Sequence, residues 1–191
     1  MLDFLLKLDY KLFQFINFDF SSSWGDVFFV WITDLHKTPY FKFIAIPMVL
    51  SIFLYKYKRI GLTYFLFLLL SLGLSDFIGA KVKTAANRAR PFNNSEISVL
   101  QRSGAGHYSF YSNHASNMFT FATYTSYFVP PLRIALFTLA GAVAVSRVYN
   151  GVHYPSDVLA GMLAGIIIGY LFARLIENLV KKIAENRKAQ E

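Results

Sequence analysis

Lys83, Arg90, His114, Arg147, His153 and Asp157 all fall within residues 83–157, in three polar clusters. The first, KTAANRARP, sets six residues between Lys83 and Arg90 and ends in Pro91. The second, SFYSNHASN, places Ser112, Asn113 and His114 at the start of a helical stretch. The third, SRVYNGVHYPSD at residues 146–157, carries Arg147, His153 and Asp157. The clusters contain fixed cations, histidines and a carboxylate, but no cysteine, no HExxH and no carboxylate pair spaced for a metal, so no metal or other cofactor is expected. Cations gathered without a metal site suit a substrate with concentrated negative charge, phosphate first. Guanidinium forks match its oxygens two at a time, and lysine adds a point charge. Backbone N–H groups opening the His114 helix would add donors and a favourable dipole. Two histidines suggest a division of labour, one as nucleophile or base and the other as acid. Asp157 follows His153 by four residues, so its carboxylate can accept a bond from one imidazole nitrogen and leave the other free to attack.

The elements that must position these groups look built for lipid. Of the 191 residues, 55% are hydrophobic and 16% charged, against roughly 25% charged in soluble domains. Five runs approach the ~20 residues an α-helix needs to cross a bilayer core: Phe41–Tyr57, Ile60–Ala80, His114–Val129, Leu132–Val145 and Val158–Leu179. The third is rich in Ser, Thr and Asn and stops at Pro130–Pro131. Ahead of them, Leu2, Leu5, Leu6, Tyr10, Leu12, Phe13 and Ile16 recur at helical spacing among charges, as in an amphipathic helix lying in the interface. Ser21–Ser23 can cap a second short helix through WGDVFFVWITDL. The N-terminus lacks a basic n-region and does not read as a cleaved signal peptide. The expected architecture is a single all-α domain, a polytopic transmembrane helical bundle. It has about five spans in residues 39–180, one or two N-terminal interfacial or spanning helices in 1–38, and a charged cytoplasmic tail in 181–191.

The net charge of +8 sits in short clusters between apolar runs rather than on one face of a soluble domain, which argues against nucleic acid as a partner. If the five spans alternate, Lys56, Lys58, Arg59, Arg133 and the tail lysines share one side, the cytoplasmic one by the positive-inside rule. All three polar clusters then reach the opposite face. Gly161 and Gly165 form a GxxxG that reads as close helix packing. Without cysteine no disulfide is possible.

Taken in order, Lys83-(six residues)-Arg90-Pro91, Ser112-Asn113-His114 and Ser146-Arg147-(five residues)-His153-(three residues)-Asp157 resemble the signature of the type 2 phosphatidic acid phosphatase family. That superfamily includes membrane lipid phosphatases and soluble vanadium haloperoxidases. The resemblance implies an α-helical bundle and metal-independent phosphate hydrolysis through a phosphohistidine. It makes His153 the nucleophile, Asp157 its orienter and His114 the group that protonates the leaving oxygen and then activates water. Lys83, Arg90, Ser112, Arg147 and the backbone N–H of Asn113 would hold the phosphoryl oxygens. The second motif departs from the family's Pro-Ser-Gly-His, since Tyr111 and Asn113 replace Pro and Gly. Asn tolerates left-handed backbone better than most residues, so the loop can survive the change.

The implied substrate is a phosphate monoester or diphosphate of a bacterial envelope lipid, undecaprenyl diphosphate or the 1-phosphate of lipid A first, phosphatidylglycerol phosphate or phosphatidic acid next. The implied place is the bacterial inner membrane, multi-pass, with the site facing the periplasm or outside. The competing class is a non-catalytic lipid-binding or transport protein. Arg88 and Arg102, with Lys37, would favour a highly anionic headgroup unless they simply snorkel toward lipid headgroups. His107 is an alternative acid to His114. Asp76 is expected to pair with Lys83 or Lys81, and Tyr149 with Asn150-Gly151 reads as turn material.

Overall fold

The computed structural model describes residues 2–189. Helix α1, Leu2–Gln14, runs into a π-helical turn at Phe15–Asp19, and α2, Ser23–Asp34, is capped by Ser22, whose hydroxyl accepts from Gly25 N at 3.1 Å. Five helices follow: α3 Ile46–Tyr57, α4 Ile60–Ala86, α5 Asn113–Phe128, α6 Arg133–Tyr149 and α7 Pro155–Lys188. Local chemistry sets their ends. Asn87 closes α4 in the left-handed region at φ 48°, and Gly151 ends the turn after α6 at φ 74°. Pro155 opens α7, where its missing N–H costs nothing. Glutamate and lysine spaced i,i+4, as in Glu177 and Lys181 at 2.9 Å, carry α7 past the expected boundary at residue 179 to Lys188.

Helix α5 is the centre, packed against α4, α6 and α7. One half of the core joins Phe13, Ala115, Phe119, Val148, Tyr154 and Val158; the other joins Phe53, Tyr64, Leu68, Tyr124, Phe128 and Ile176. Burial on several sides explains why α5 is polar and only 16 residues long. It meets packed neighbours instead of lipid, and Thr120 Oγ1 donates across to Gly165 O at 3.2 Å. Among the described residues, three helical stretches are long and apolar enough to cross a membrane alone: Ile60–Ala86, Pro130–Tyr149 and Pro155–Lys188. Ser23–Lys37 and Phe41–Tyr57 qualify only as a pair, bent by 58°. The expected five spans thus become three or four by length and composition.

Both ends of α2 touch the same end of the bundle: Gly25 meets Tyr149, and the His36 ring lies 5.2 Å from that of His114. Tyr149 is an anchor for α2 and not turn material, being fully buried with its hydroxyl 2.8 Å from Asp26 Oδ1. At the opposite end, Lys56 Nζ and Tyr57 Oη donate to Phe128 O at 2.6 and 2.8 Å.

The small-residue seam on α7 sets the helix register. A Cβ on Gly161, Gly165 or Gly169 would stand closer than 3.0 Å to the backbone oxygens of Ser112, Ser116 and Thr120 in turn. Both helices advance by four residues between contacts, so α5 and α7 run parallel and start at the same end. Gly165→Ala therefore forces a backbone clash and is expected to cost about 1–3 kcal/mol, read as a lower unfolding temperature in detergent. Gly141→Ala, with no heavy atom within 4 Å of the new Cβ, is expected to match or exceed the wild type.

Candidate active site

The common start of α5 and α7 meets the ends of α4 and α6, and there the three polar clusters come together. His153 lies in the tight connection from α6 and is 2% exposed; Asp157, in the first turn of α7, is fully buried. The carboxylate Oδ2 accepts from His153 Nδ1 at 3.3 Å and from Tyr154 N at 2.9 Å. One oxygen thus orients the imidazole and caps the helix. The other ring nitrogen, Nε2, faces Arg90 Nη1 at 3.2 Å, while the same Nη1 donates to Val152 O at 2.6 Å. Burial outweighs the pull of Asp157 and holds the His153 imidazole neutral well below its ordinary range.

Arg147, at the end of α6, is 4% exposed. Its Nη1 donates to Thr33 Oγ1 at 2.6 Å, whereas its Nε is buried and has no hydrogen-bond partner among the described residues. Lys83, on the last turn of α4, donates to Tyr111 O and to Asn113 Oδ1, the latter at 2.7 Å, and lies within electrostatic reach of Arg90, Asp157 and Arg147. His114, in the first turn of α5, is within the same reach of Arg147 and His153. Ser112 is fully buried, its hydroxyl accepting from Ala115 N at 3.4 Å as the cap of α5 and its N–H bonding Asp157 O at 3.0 Å. The anticipated residues therefore share one end of the bundle. His107 is exposed, and among the described residues its ring contact is with its neighbour Tyr108.

Several side chains act differently from their sequence readings. Asp76 pairs with neither Lys83 nor Lys81. Its Oδ1 accepts from Asn113 Nδ2 at 2.8 Å, so the Asn113 amide bridges Lys83 on one side and Asp76 on the other. Gly79 makes room for that amide, since a Cβ there would overlap it. Arg88 does not snorkel. Nη1 lies 2.6 Å from Asp157 Oδ1 and Nη2 lies 2.7 Å from Asp9 Oδ2. Arg102 is bound to Asp26 at 2.6 Å and to Tyr149 O at 2.8 Å, and Lys37 pairs with Asp34 at 2.7 Å. These three cations already have protein partners, which removes the sequence argument that they select a more anionic headgroup. Residues the sequence did not single out also reach the site: Asp9, Thr33 and His36. The only advance signal was the buried cost of Asp9, an acid on the apolar stripe of α1; nothing local marks Thr33 or His36.

A helical bundle embedded in a membrane, with cations and imidazoles gathered where two helices begin, defines the class. A family model described as the PAP2 superfamily matches residues 64–181, more than half of the chain, and the chain belongs to that superfamily. It is 33% identical over 125 residues to the undecaprenyl-diphosphatase of Sulfolobus acidocaldarius, a match covering 64% of this chain and 58% of that protein. It is 27% identical to the lipid A 4'-phosphatase of Bacteroides thetaiotaomicron, over 85% of this chain and 74% of that protein. Among solved structures, the transmembrane PAP2 type phosphatidylglycerolphosphate phosphatase from Bacillus subtilis superposes with a TM-score of 0.73 at 23% identity, covering 91% of this chain and 87% of that one, a likeness of fold. Aquifex aeolicus LpxE gives 0.69 at 29% identity, over 86% of this chain and 93% of that one.

A depressed imidazole stays neutral as pH falls through the usual histidine range near 6.5. With the imidazoles 13C-labelled and His153 assigned by its loss in His153→Gln, the His153 resonance is expected to show no protonation step between about pH 7.5 and 5.

Proposed function

We propose that this chain is a membrane lipid phosphatase, hydrolysing a phosphate monoester or diphosphate of an envelope lipid through a phosphohistidine. The observation that carries the reading is the gathering of Arg90 and Arg147 around His153. The non-orienting Nε2 of His153 faces Arg90 Nη1 at 3.2 Å, and within electrostatic reach of the imidazole the buried Arg147 guanidinium has an Nε without a hydrogen-bond partner among the described residues. Leaving such a donor unpaired is costly unless it meets an anion. The names of the relatives, an undecaprenyl-diphosphatase and a lipid A 4'-phosphatase, support the same substrate class.

In this reading the Nε2 lone pair of His153 attacks phosphorus and the bond from phosphorus to the lipid-side oxygen breaks. That oxygen keeps the electron pair and takes a proton from His114. Asp157 holds the cationic imidazole while Lys83, Arg90, Arg147 and the N–H groups opening α5 balance charge on the phosphoryl oxygens. His114, now neutral, removes a proton from water as the water oxygen attacks phosphorus. The phosphorus–nitrogen bond breaks, its electrons return to Nε2, and inorganic phosphate leaves. Lipid tails stay in the bilayer while the headgroup enters at the membrane edge. The basic residues near Phe128 lie at the opposite end, so the positive-inside rule supports a site facing the periplasm or outside of a bacterial inner membrane. Undecaprenyl diphosphate and lipid A phosphate are the first candidates, phosphatidylglycerol phosphate and phosphatidic acid the next.

Phosphate release from these four lipids in detergent, with chelator present, tests the proposal. The wild type is expected to turn over at least one of them, His114→Ala to lose about 10²–10⁴-fold in kcat, and His153→Ala to fall to background with no trapped phosphoenzyme. Wild-type rates in His153→Ala would overturn the assignment of the nucleophile. Binding of a lipid without any phosphate release would favour a lipid-binding protein instead.

A further inference from the structure

Asp157 uses only one oxygen on His153; its other oxygen leads away from the pocket to the N-terminal helix. Oδ1 lies 2.6 Å from Arg88 Nη1, and the Arg88 guanidinium stacks 4.0 Å over the Tyr154 ring. The far side of the fork meets Asp9 Oδ2 at 2.7 Å. Asp9 is itself buried, at 8% exposure, on a helix that otherwise turns Phe4, Leu5, Leu8 and Leu12 outward. Its Oδ1 accepts from Ser156 N at 2.9 Å, in the first turn of α7, and the Ser156 hydroxyl also joins Arg88 at 2.7 Å.

We infer that Arg88 and Asp9 are positioning residues for the nucleophile, so that α1 completes the active site from outside the matched family region; this rests on the reading of His153 as the attacking group. Two physical arguments carry it. The first is geometric: a carboxylate with both oxygens claimed cannot rotate, so Arg88 keeps Oδ2 on His153 Nδ1. The second is electrostatic. Arg88 alone would cancel the charge of Asp157, which the imidazole needs as it becomes cationic during attack. Asp9 restores it: two carboxylates and one guanidinium leave the chain Asp9–Arg88–Asp157 with one net negative charge behind the imidazole. Asp9 acts only through Arg88 and Ser156 and touches none of the groups assigned to the phosphoryl oxygens.

The test is a double-mutant cycle on the full chain in detergent, using whichever lipid the wild type hydrolyses. Asp9→Asn keeps an oxygen for Ser156 N but loses the charge. It is expected to lower kcat about 10-fold with KM within about twofold, and Arg88→Gln about 100-fold. The double variant is expected to be no slower than Arg88→Gln, because Asp9→Asn keeps an oxygen for Ser156 N and the charge it loses acts on the nucleophile through Arg88. Arg88→Lys, which retains charge but not the fork, should recover part of the loss. Unfolding temperatures separate these effects from simple destabilisation, since a structural role would lower active fraction without slowing phosphoenzyme formation per active site. Wild-type kcat in Asp9→Asn, or losses that multiply in the double variant, would overturn the inference and leave the phosphatase reading standing. A wild type that releases phosphate from no lipid would overturn both.

Discussion

A buried carboxylate at a helix start organises this protein. Asp157 is fully enclosed, and an ion in such a place needs compensation from every side. It receives Tyr154 N and His153 Nδ1 on one oxygen and Arg88 on the other, and its own backbone oxygen takes the N–H of Ser112. The position at the N-terminus of α7 adds the favourable end of the helix dipole. One residue therefore caps α7, orients an imidazole and pins the start of α5, so the fold and the site share a single constraint.

The parallel pairing of α5 and α7 extends that constraint through the bundle. Because the glycine seam brings backbone against backbone, the two helices cannot slide without losing contact at every turn. Two helix N-termini then open at one place, bringing their positive dipole ends together. The neighbouring helices arrive by their C-terminal ends, and these deliver Lys83 and Arg147. Cations at helix C-termini and the positive ends of two helix dipoles meet at one end of the bundle, an arrangement suited to an anion.

The replacement of the family's usual glycine by Asn113 is accommodated by a local rearrangement. Its amide oxygen holds Lys83 and its amide nitrogen holds Asp76, with Gly79 providing the space. Asn117 leans on the same carboxylate at 3.4 Å. The Asp76 carboxylate thus finds amide donors in place of a cation, and the ammonium group of Lys83 is held by the same Asn113 amide. A position where backbone freedom would be expected has become one where a side chain fixes a neighbour.

Much of this was legible in the chain itself. The types and order of Lys83, Arg90, His114, Arg147, His153 and Asp157 suggested a phosphate-bearing substrate and carried the family resemblance, because an i,i+4 histidine and aspartate or a lysine and arginine before proline are local patterns. Apolar runs specified a helical membrane bundle, and GxxxG announced its tightest contact. What the sequence could not reveal were the partners reached across long separations. Arg88 looked like a boundary cation until Asp9, 79 residues away, closed on it. Asp76 looked destined for a lysine until Asn113 intervened, and α5 looked like a weak membrane span until its neighbours covered it. Only tertiary packing decided these, since hydrogen-bond geometry between distant segments depends on helix register and tilt that no local pattern encodes.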